Sequence, residues 1–230
     1  MRTLAIFGGS SSVLIVAASI ARAAAAGEDV ELIGFLNDLV PAGDRIGGYP
    51  VLGRFDDWRA LAERVRLVTA FRLPDHAFER HARLRSLGVP EDRWETVRDP
   101  AALVDPSARI GPGCYLGPNA VIEHGAELGP HTIVRAGAYV SHDARVGEFG
   151  FVGPNASLLG RTVCGVGVHV GANAVCREGT VVGDYALIGV GAVVVGAVAA
   201  GARVAGNPAR PLGPRRDPAT GPNVSDVTAS

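Results

Sequence analysis

The stretch VSHDARVGEFG, residues 140–150, sets His142 directly against Asp143. An imidazole titrates near neutral pH, so it can take a proton from an amine or hydroxyl as that group attacks a carbonyl. A carboxylate bonded to its other ring nitrogen fixes the tautomer and raises its basicity. The pair therefore has the parts of a general base and the acid that orients it. Neighbours in a strand point to opposite faces, so these side chains can meet only where the chain turns a corner. His124, in VIEHGAELG, is a weaker candidate, with Glu123 before it and no acid after it.

Other chemistry is poorly served. The histidines of the second half are His124, His131, His142 and His169, and no two are spaced as a His-x4-His pair. His76 and His81 have that spacing, but on a predicted helix, where such residues diverge. No metal site is expected. Cys114, Cys164 and Cys176 are odd in number and fall at apolar positions of a repeat, so they read as small buried hydrophobes. No covalent cysteine intermediate is expected.

The elements that carry His142 follow a period of six. Every sixth residue from Val104 to Ala200 is apolar: Val104, Ile110, Leu116, Ile122 and onward without an insertion. Four places further on in each hexad small residues dominate, among them Ala108, Cys114, Ala120, Ala126, Thr132 and Ala138. A short fixed repeat marks a solenoid whose units bury their faces against one another. Six does not suit a helix, but it suits a short strand plus a corner, three of which close an 18-residue triangular coil. About five coils are expected between Val104 and Ala200.

Sorting hexads by side sharpens the site. One side has Gly111, Gly129, Gly147, Gly165, Gly183 and Gly201 after the apolar residue, expected where a corner needs φ > 0. A second side carries Asn119, Asn155 and Asn173, which tolerate the left-handed region. The third side is irregular. It places His124 and His142 on adjacent coils, expected to stack about 4.8 Å apart, with Gly160 one coil further on. Gly160, lacking a side chain, is expected to let a ligand reach the backbone. Local rules fail most readily at functional sites.

The first half alternates strand and helix patterns. Strands are expected at 3–7, 30–36 and 66–71, and helices over the alanine-rich run to Gly27, over 55–65 and over 74–88. The reading is a small parallel α/β sheet of Rossmann type over residues 1–97, then a β-helix over 98–206, then a largely disordered extension over 207–230. The 230 residues are 47% hydrophobic and 20% charged with net charge −1, which excludes a globally basic nucleic-acid binder. VLIVAASIARAAAA is too short to span a bilayer, and MRTLAIFGGSSS lacks a signal-peptide layout, so a cytoplasmic location is expected.

Together, SHDARVGEFGFVGPNASLLG (141–160) and the closing VAGNPAR (204–210) resemble the hexapeptide-repeat sugar acyltransferases of the sialic acid O-acetyltransferase and UDP-amino-sugar N-acetyltransferase type. The resemblance covers about residues 3–211. It implies a Rossmann-like N-terminal domain, a left-handed parallel β-helix, acetyl-CoA as co-substrate, and a homotrimer with sites between subunits. By that match His142 is the general base and Asp143 the acid that tunes it. Gly160, Ala172, Gly189, Val190, Phe151 and Arg210 line the acetyl-CoA path, Arg210 meeting a phosphate. Backbone N–H groups near Gly160 are the expected oxyanion donors. Gly8, Gly9, Ser10, Ser11, Ser12, Asn37, Asp38 and Arg135 fall on the side that takes the sugar or nucleotide-sugar acceptor.

The chain also departs from that pattern. Gly8 to Ser12 reads GGSSS, without the family's second glycine and histidine. Asn37-Asp38 replaces Asp-Asp, FRLPD replaces a Gly-x-Asn, Arg135 replaces an asparagine, and Phe151 replaces a second histidine. Two other functions fit the same residues: acyl transfer to a non-sugar small molecule, and a non-catalytic β-helix trimer that serves as a scaffold.

Overall fold

The computed structural model describes residues 1–8, 13–69 and 77–212. Gly9 to Ser12, residues 70–75, His76 and the tail from Gly213 onward lie outside the described residues.

The N-terminal part is a five-stranded sheet. Its strands are β1 (Arg2–Phe7), β2 (Val30–Leu36), β3 (Arg45–Ile46), β4 (Tyr49–Gly53) and β5 (Val65–Thr69), in the order β3-β4-β2-β1-β5. β1 pairs in parallel with both β2 and β5, and β3 with β4 forms an antiparallel hairpin. The near-continuous apolar run Leu4-Ala5-Ile6-Phe7 is fully buried, as a strand covered on both faces requires. Helix α1 (Val13–Ala25) covers one face through Val13, Val16, Ala17 and Ile20, spaced three and four apart. The other face takes Phe55, Trp58, Leu84 of helix α2 (Ala77–Ser86) and Leu87 just after it.

The helix expected over 55–65 is a correction. Only a 3-10 helix forms, Phe55–Ala60, and Val65 already opens β5. Its two anchors, Phe55 and Trp58, are three apart, the period of the tighter helix.

From Val97 the chain becomes the three-sided β-solenoid that the period of six implied, the left-handed β-helix expected from the family resemblance. Two-residue strands stack in parallel sheets. The first face runs from Val97–Arg98 through Tyr115–Leu116, Ile133–Val134, Phe151–Val152 and Leu187–Ile188 to Arg203–Ala205, with Arg210–Pro211 added antiparallel at its end. The second face runs from Leu103–Val104 to Val193–Val194, and the third from Arg109–Ile110 to Val181–Val182. Ladder partners are one coil apart: Ile122 meets Val140, which meets Leu158. Inward columns of Val, Leu and Ile, with Ala, Cys and Thr at the corners, form one continuous core. Each large member contributes roughly 1.5–3 kcal/mol of burial.

Two expectations about the repeat change. Left-handed backbone does not occur at Gly111, Gly129, Gly147, Gly165 or Gly183; it occurs at every sixth residue from Gly113 to Gly191, with φ between 54° and 70°. The column at Gly111 is glycine for another reason: a Cβ on Gly111 or Gly129 would lie 2.6 Å from the backbone nitrogen of the next coil. The period also breaks at the end. Val182 bridges Val198 and Ile188 meets Val204, so the last coil is two residues short, and Val198, not Ala200, turns inward.

The sheet is held to the solenoid by α1, which is sandwiched between them. Its apolar residues join one cluster with Leu4, Phe35, Tyr115, Ile133 and Phe151. Arg22 donates to the fully buried Asp99, and the Ser19 hydroxyl meets that of Tyr115 at 2.9 Å. A second contact is aromatic. His131, Phe149 and Tyr185 all occupy left-handed corner positions of one edge, where Gly113 and Gly167 also fall. His81 of α2 stacks on Phe149 at 4.2 Å and lies 5.9 Å from Tyr185, filling the gap that Gly167 leaves in the column.

Candidate active site

The corner between the second and third faces carries His124, His142 and Gly160 on successive coils. Asp143 occupies the left-handed position there, φ +56°, a conformation aspartate tolerates better than most residues. Its Oδ1 lies 2.7 Å from where a Cβ of Gly125 would be, so the coil below must be glycine at that point. This turn brings adjacent side chains together: His142 Nδ1 is 3.1 Å from Asp143 Oδ2. The bond to His142 holds the Asp143 carboxyl below its usual range. With the Nδ1 proton donated to Asp143, the lone pair is left on Nε2.

The imidazole leans toward the coil above. A Cβ on Gly160 would lie 2.5 Å from His142 Nε2. Gly160 therefore makes room for the His142 ring. The side chain as a whole stays 44% exposed. The His142 carbonyl accepts from the Arg161 N–H of the coil above, and its N–H donates to Glu123 Oε2 of the coil below.

His124 and His142 stand on adjacent coils, as the pairing of Ile122 with Val140 requires. His124 Nδ1 reaches the Ser107 hydroxyl of the coil below at 2.8 Å, and that hydroxyl donates to Asp105 at 2.6 Å. His124 thus gains an acid through Ser107, a link no neighbour in its own hexad signals.

The other named residues spread over two further corners. Ala172, Gly189 and Val190 follow the first face, on the opposite edge of the second face from His142. Val190 is exposed, and a Cβ on Gly189 would meet that of Ala205 at 2.9 Å. Arg210 is exposed near the end of the described chain. Phe151 is buried on the first face against α1 and stacks on His169 at 4.4 Å. Arg135 is half-buried, and its charge acts on the Tyr115 hydroxyl. Within one chain these residues do not converge on His142.

On the N-terminal sheet, the Gly8 N–H donates to the Leu36 carbonyl. Asn37 Oδ1 accepts from the N–H groups of Leu39 and Val40, while its buried Nδ2 has no partner among the described residues. Asp38 accepts from the Phe55 N–H at 3.0 Å and lies within 4 Å of Arg54 and Arg83. The three cysteines are free and buried; burial pushes the Cys114 and Cys176 thiols up to about 12. Among the described residues no group of three or more His, Cys, Asp or Glu is placed to hold a metal ion, and no helix is long and apolar enough to cross a membrane.

The family described as bacterial transferase hexapeptide (six repeats) matches residues 107–142, which end on His142. No curated protein matches. Among solved structures the chain is similar to the acetyltransferase domain of PglB from Neisseria gonorrhoeae FA1090 in complex with acetyl coenzyme A. Identity is 32%, with 92% of this chain and 99% of that chain covered and a TM-score of 0.78. It is similar to PerB from Caulobacter crescentus in complex with CoA and GDP-perosamine, at 26% identity, 92% and 97% coverage and a TM-score of 0.77. It shares its fold with WeeI from Acinetobacter baumannii AYE, at 22% identity, 92% and 100% coverage and a TM-score of 0.62. A likeness of this identity over nearly the whole of both chains, on a solenoid of this period, makes the chain a member of the hexapeptide-repeat sugar acetyltransferases, an acyltransferase family.

Proposed function

We propose that the protein transfers an acetyl group from acetyl-CoA to an amino or hydroxyl group of a sugar, carried on a nucleotide, with His142 as general base. The observation that carries this reading is the His142–Asp143 pair: Nδ1 tied to the carboxylate at 3.1 Å, on a side chain that stays 44% exposed. Nε2 takes the acceptor's proton as the acceptor attacks the thioester carbonyl, and returns it to the coenzyme A thiolate that leaves when the C–S bond breaks. Asp143 holds the tautomer and stabilises the imidazolium that results. The Gly160 backbone beside the ring supplies an oxyanion donor. PglB and PerB, with their acetyl-CoA, CoA and GDP-perosamine, support the choice of donor and acceptor class.

The same reading assigns residues 1–97 to a Rossmann-like acceptor domain, 98–206 to the transferase β-helix and 207–230 to an extension. Gly8 and the residues Gly9, Ser10, Ser11 and Ser12 that follow it in sequence, with Asn37 and Asp38, take the nucleotide. Asn37 Nδ2, without a partner among the described residues, is a donor available to it. Ala172, Gly189, Val190, Phe151 and Arg210 line the CoA path together with Gly160, and Arg135 lies on the acceptor side. Because these residues do not meet His142 within one chain, the site is shared between copies of a homotrimer. Leu103, Val190 and Val195, apolar and exposed on or beside the second face, support a neighbour there.

The test is thiol release from acetyl-CoA with a panel of UDP- and GDP-linked amino sugars, native protein against His142→Ala. Turnover by the native protein with loss in the variant supports the assignment, and equal turnover ends it.

A further inference from the structure

The solenoid ladder explains which corner amide is left over. The N–H groups of residues 139, 141, 143 and 144 all donate to backbone carbonyls, and the pattern repeats on each coil. The second residue after each inward apolar position is outside the ladder. That is why proline occupies this place at Pro106, Pro112, Pro118, Pro130 and Pro154, where no N–H is needed. His142 stands at the same place, and its N–H finds a partner in a side chain. Glu123 Oε2 accepts from it at 3.2 Å and from the Ser141 hydroxyl at 2.9 Å. The Tyr139 and Ser141 hydroxyls, with that amide, hold the Glu123 carboxyl below its usual range.

We propose that Glu123 is a positioning residue for the base: it clamps the Ser141–His142 peptide from the coil below and sets its negative charge beside the imidazolium that forms on proton transfer. The inference rests on the reading of His142 as base. The groups facing His142 are Asp143 beside it, Glu123 and His124 on the coil below, and Arg161, paired with Glu178, on the coil above. The sequence placed two of these acids near the base but signalled only Asp143. Glu123 belongs to the preceding coil, 19 residues away.

A purely structural cap is the alternative, and the protein contains one for comparison. Asp184 Oδ1 accepts from the Val166 N–H at 2.8 Å at an equivalent place on a different corner. The experiment compares Glu123→Ala, Glu123→Gln and Asp184→Asn with the native chain. One readout is the NMR titration of the His142 ring, which needs no acceptor. The other is kcat and KM for acetyl-CoA with GDP-perosamine and UDP-linked amino sugars as probes.

Glu123→Gln keeps an accepting oxygen but loses the charge, so the His142 ring is expected to titrate at lower pH than in the native protein. Glu123→Ala is expected to lower kcat by about tenfold to a hundredfold with KM for acetyl-CoA little changed. Asp184→Asn is expected to leave both readouts at native values. If Glu123→Gln leaves the ring titration where it was and kcat stays native while His142→Ala is inactive, Glu123 is only a cap and the inference is overturned. If His142→Ala itself retains native turnover, the base reading falls and Glu123 falls with it. Should Glu123→Ala not fold, the ring titration in Glu123→Gln decides alone.

Discussion

His142 Nδ1 meets Asp143 Oδ2 at 3.1 Å because Asp143 sits in the left-handed region at φ +56°. In an extended strand the two side chains would point apart. Asp143→Asn keeps the backbone conformation, since asparagine also tolerates it. The amide can donate to Nδ1 and so trap the wrong tautomer. A loss in kcat of about 10²–10⁴-fold is expected, with the thermal midpoint retained. Steady-state kinetics beside a melting curve checks it.

Gly160 is the place the His142 ring occupies. Its own φ is not in the left-handed region, so alanine brings no backbone strain. The added methyl would stand 2.5 Å from Nε2 and push the ring aside. Gly160→Ala is expected to melt within about 3 °C of the native protein and to lose roughly 10²-fold in kcat. Native activity in this variant would show that the ring has room elsewhere.

Acid should loosen the contact between α2 and the solenoid. Burial lowers the pKa of His81 to about 4, and that of His131 to about 4, from the ordinary imidazole value of 6.5. Arg85, Glu148 and Tyr185 surround the pair. A base with a depressed folded pKa is neutral in the native state while the unfolded chain takes up the proton. Between pH 6.5 and 4 the unfolded state thus binds more protons, and stability falls as pH falls. Above that window these groups contribute no pH dependence. A drop in midpoint of about 5–10 °C across the window is expected, flattened in His81→Phe. Calorimetry from pH 7 to 4 reads it.

Arg22 on α1 answers the fully buried Asp99 of the first coil. Burial raises the Asp99 carboxyl, but the bonds from Arg22, Ser19 and Ala101 outweigh it and hold the group below its usual range. Arg22→Ala leaves that charge without its cation, at a cost of about 2–4 kcal/mol in urea unfolding. Arg22→Ala combined with Asp99→Ala should cost less than the single change, and additivity of the two would refute the pairing.

Much of the solenoid was legible because a period of six over so many residues has one solution for burial, and the columns through Ile122 and Val140 are inward as read. What was not legible was three-dimensional. Gly111 and its column looked like turn glycines, but the close approach of the next coil requires them, which only the stacked coils reveal. Sorting the third place of each hexad by side would have exposed His131, Phe149 and Tyr185 as large rings where glycine or asparagine is easier. Their partner, His81, comes from a distant helix. At the site, the pairing of His142 with Asp143 was written in adjacent residues, whereas Glu123 and Ser107 act across coils.

The central claim is that His142 Nε2 takes the acceptor's proton. The most direct measurement is single-turnover acetyl transfer by His142→Asn under saturating acetyl-CoA, with acetyl-CoA binding followed in parallel by calorimetry. The account expects binding within about threefold of native and transfer slowed by about 10²–10⁴-fold. Transfer at the native rate, with binding intact, would contradict it.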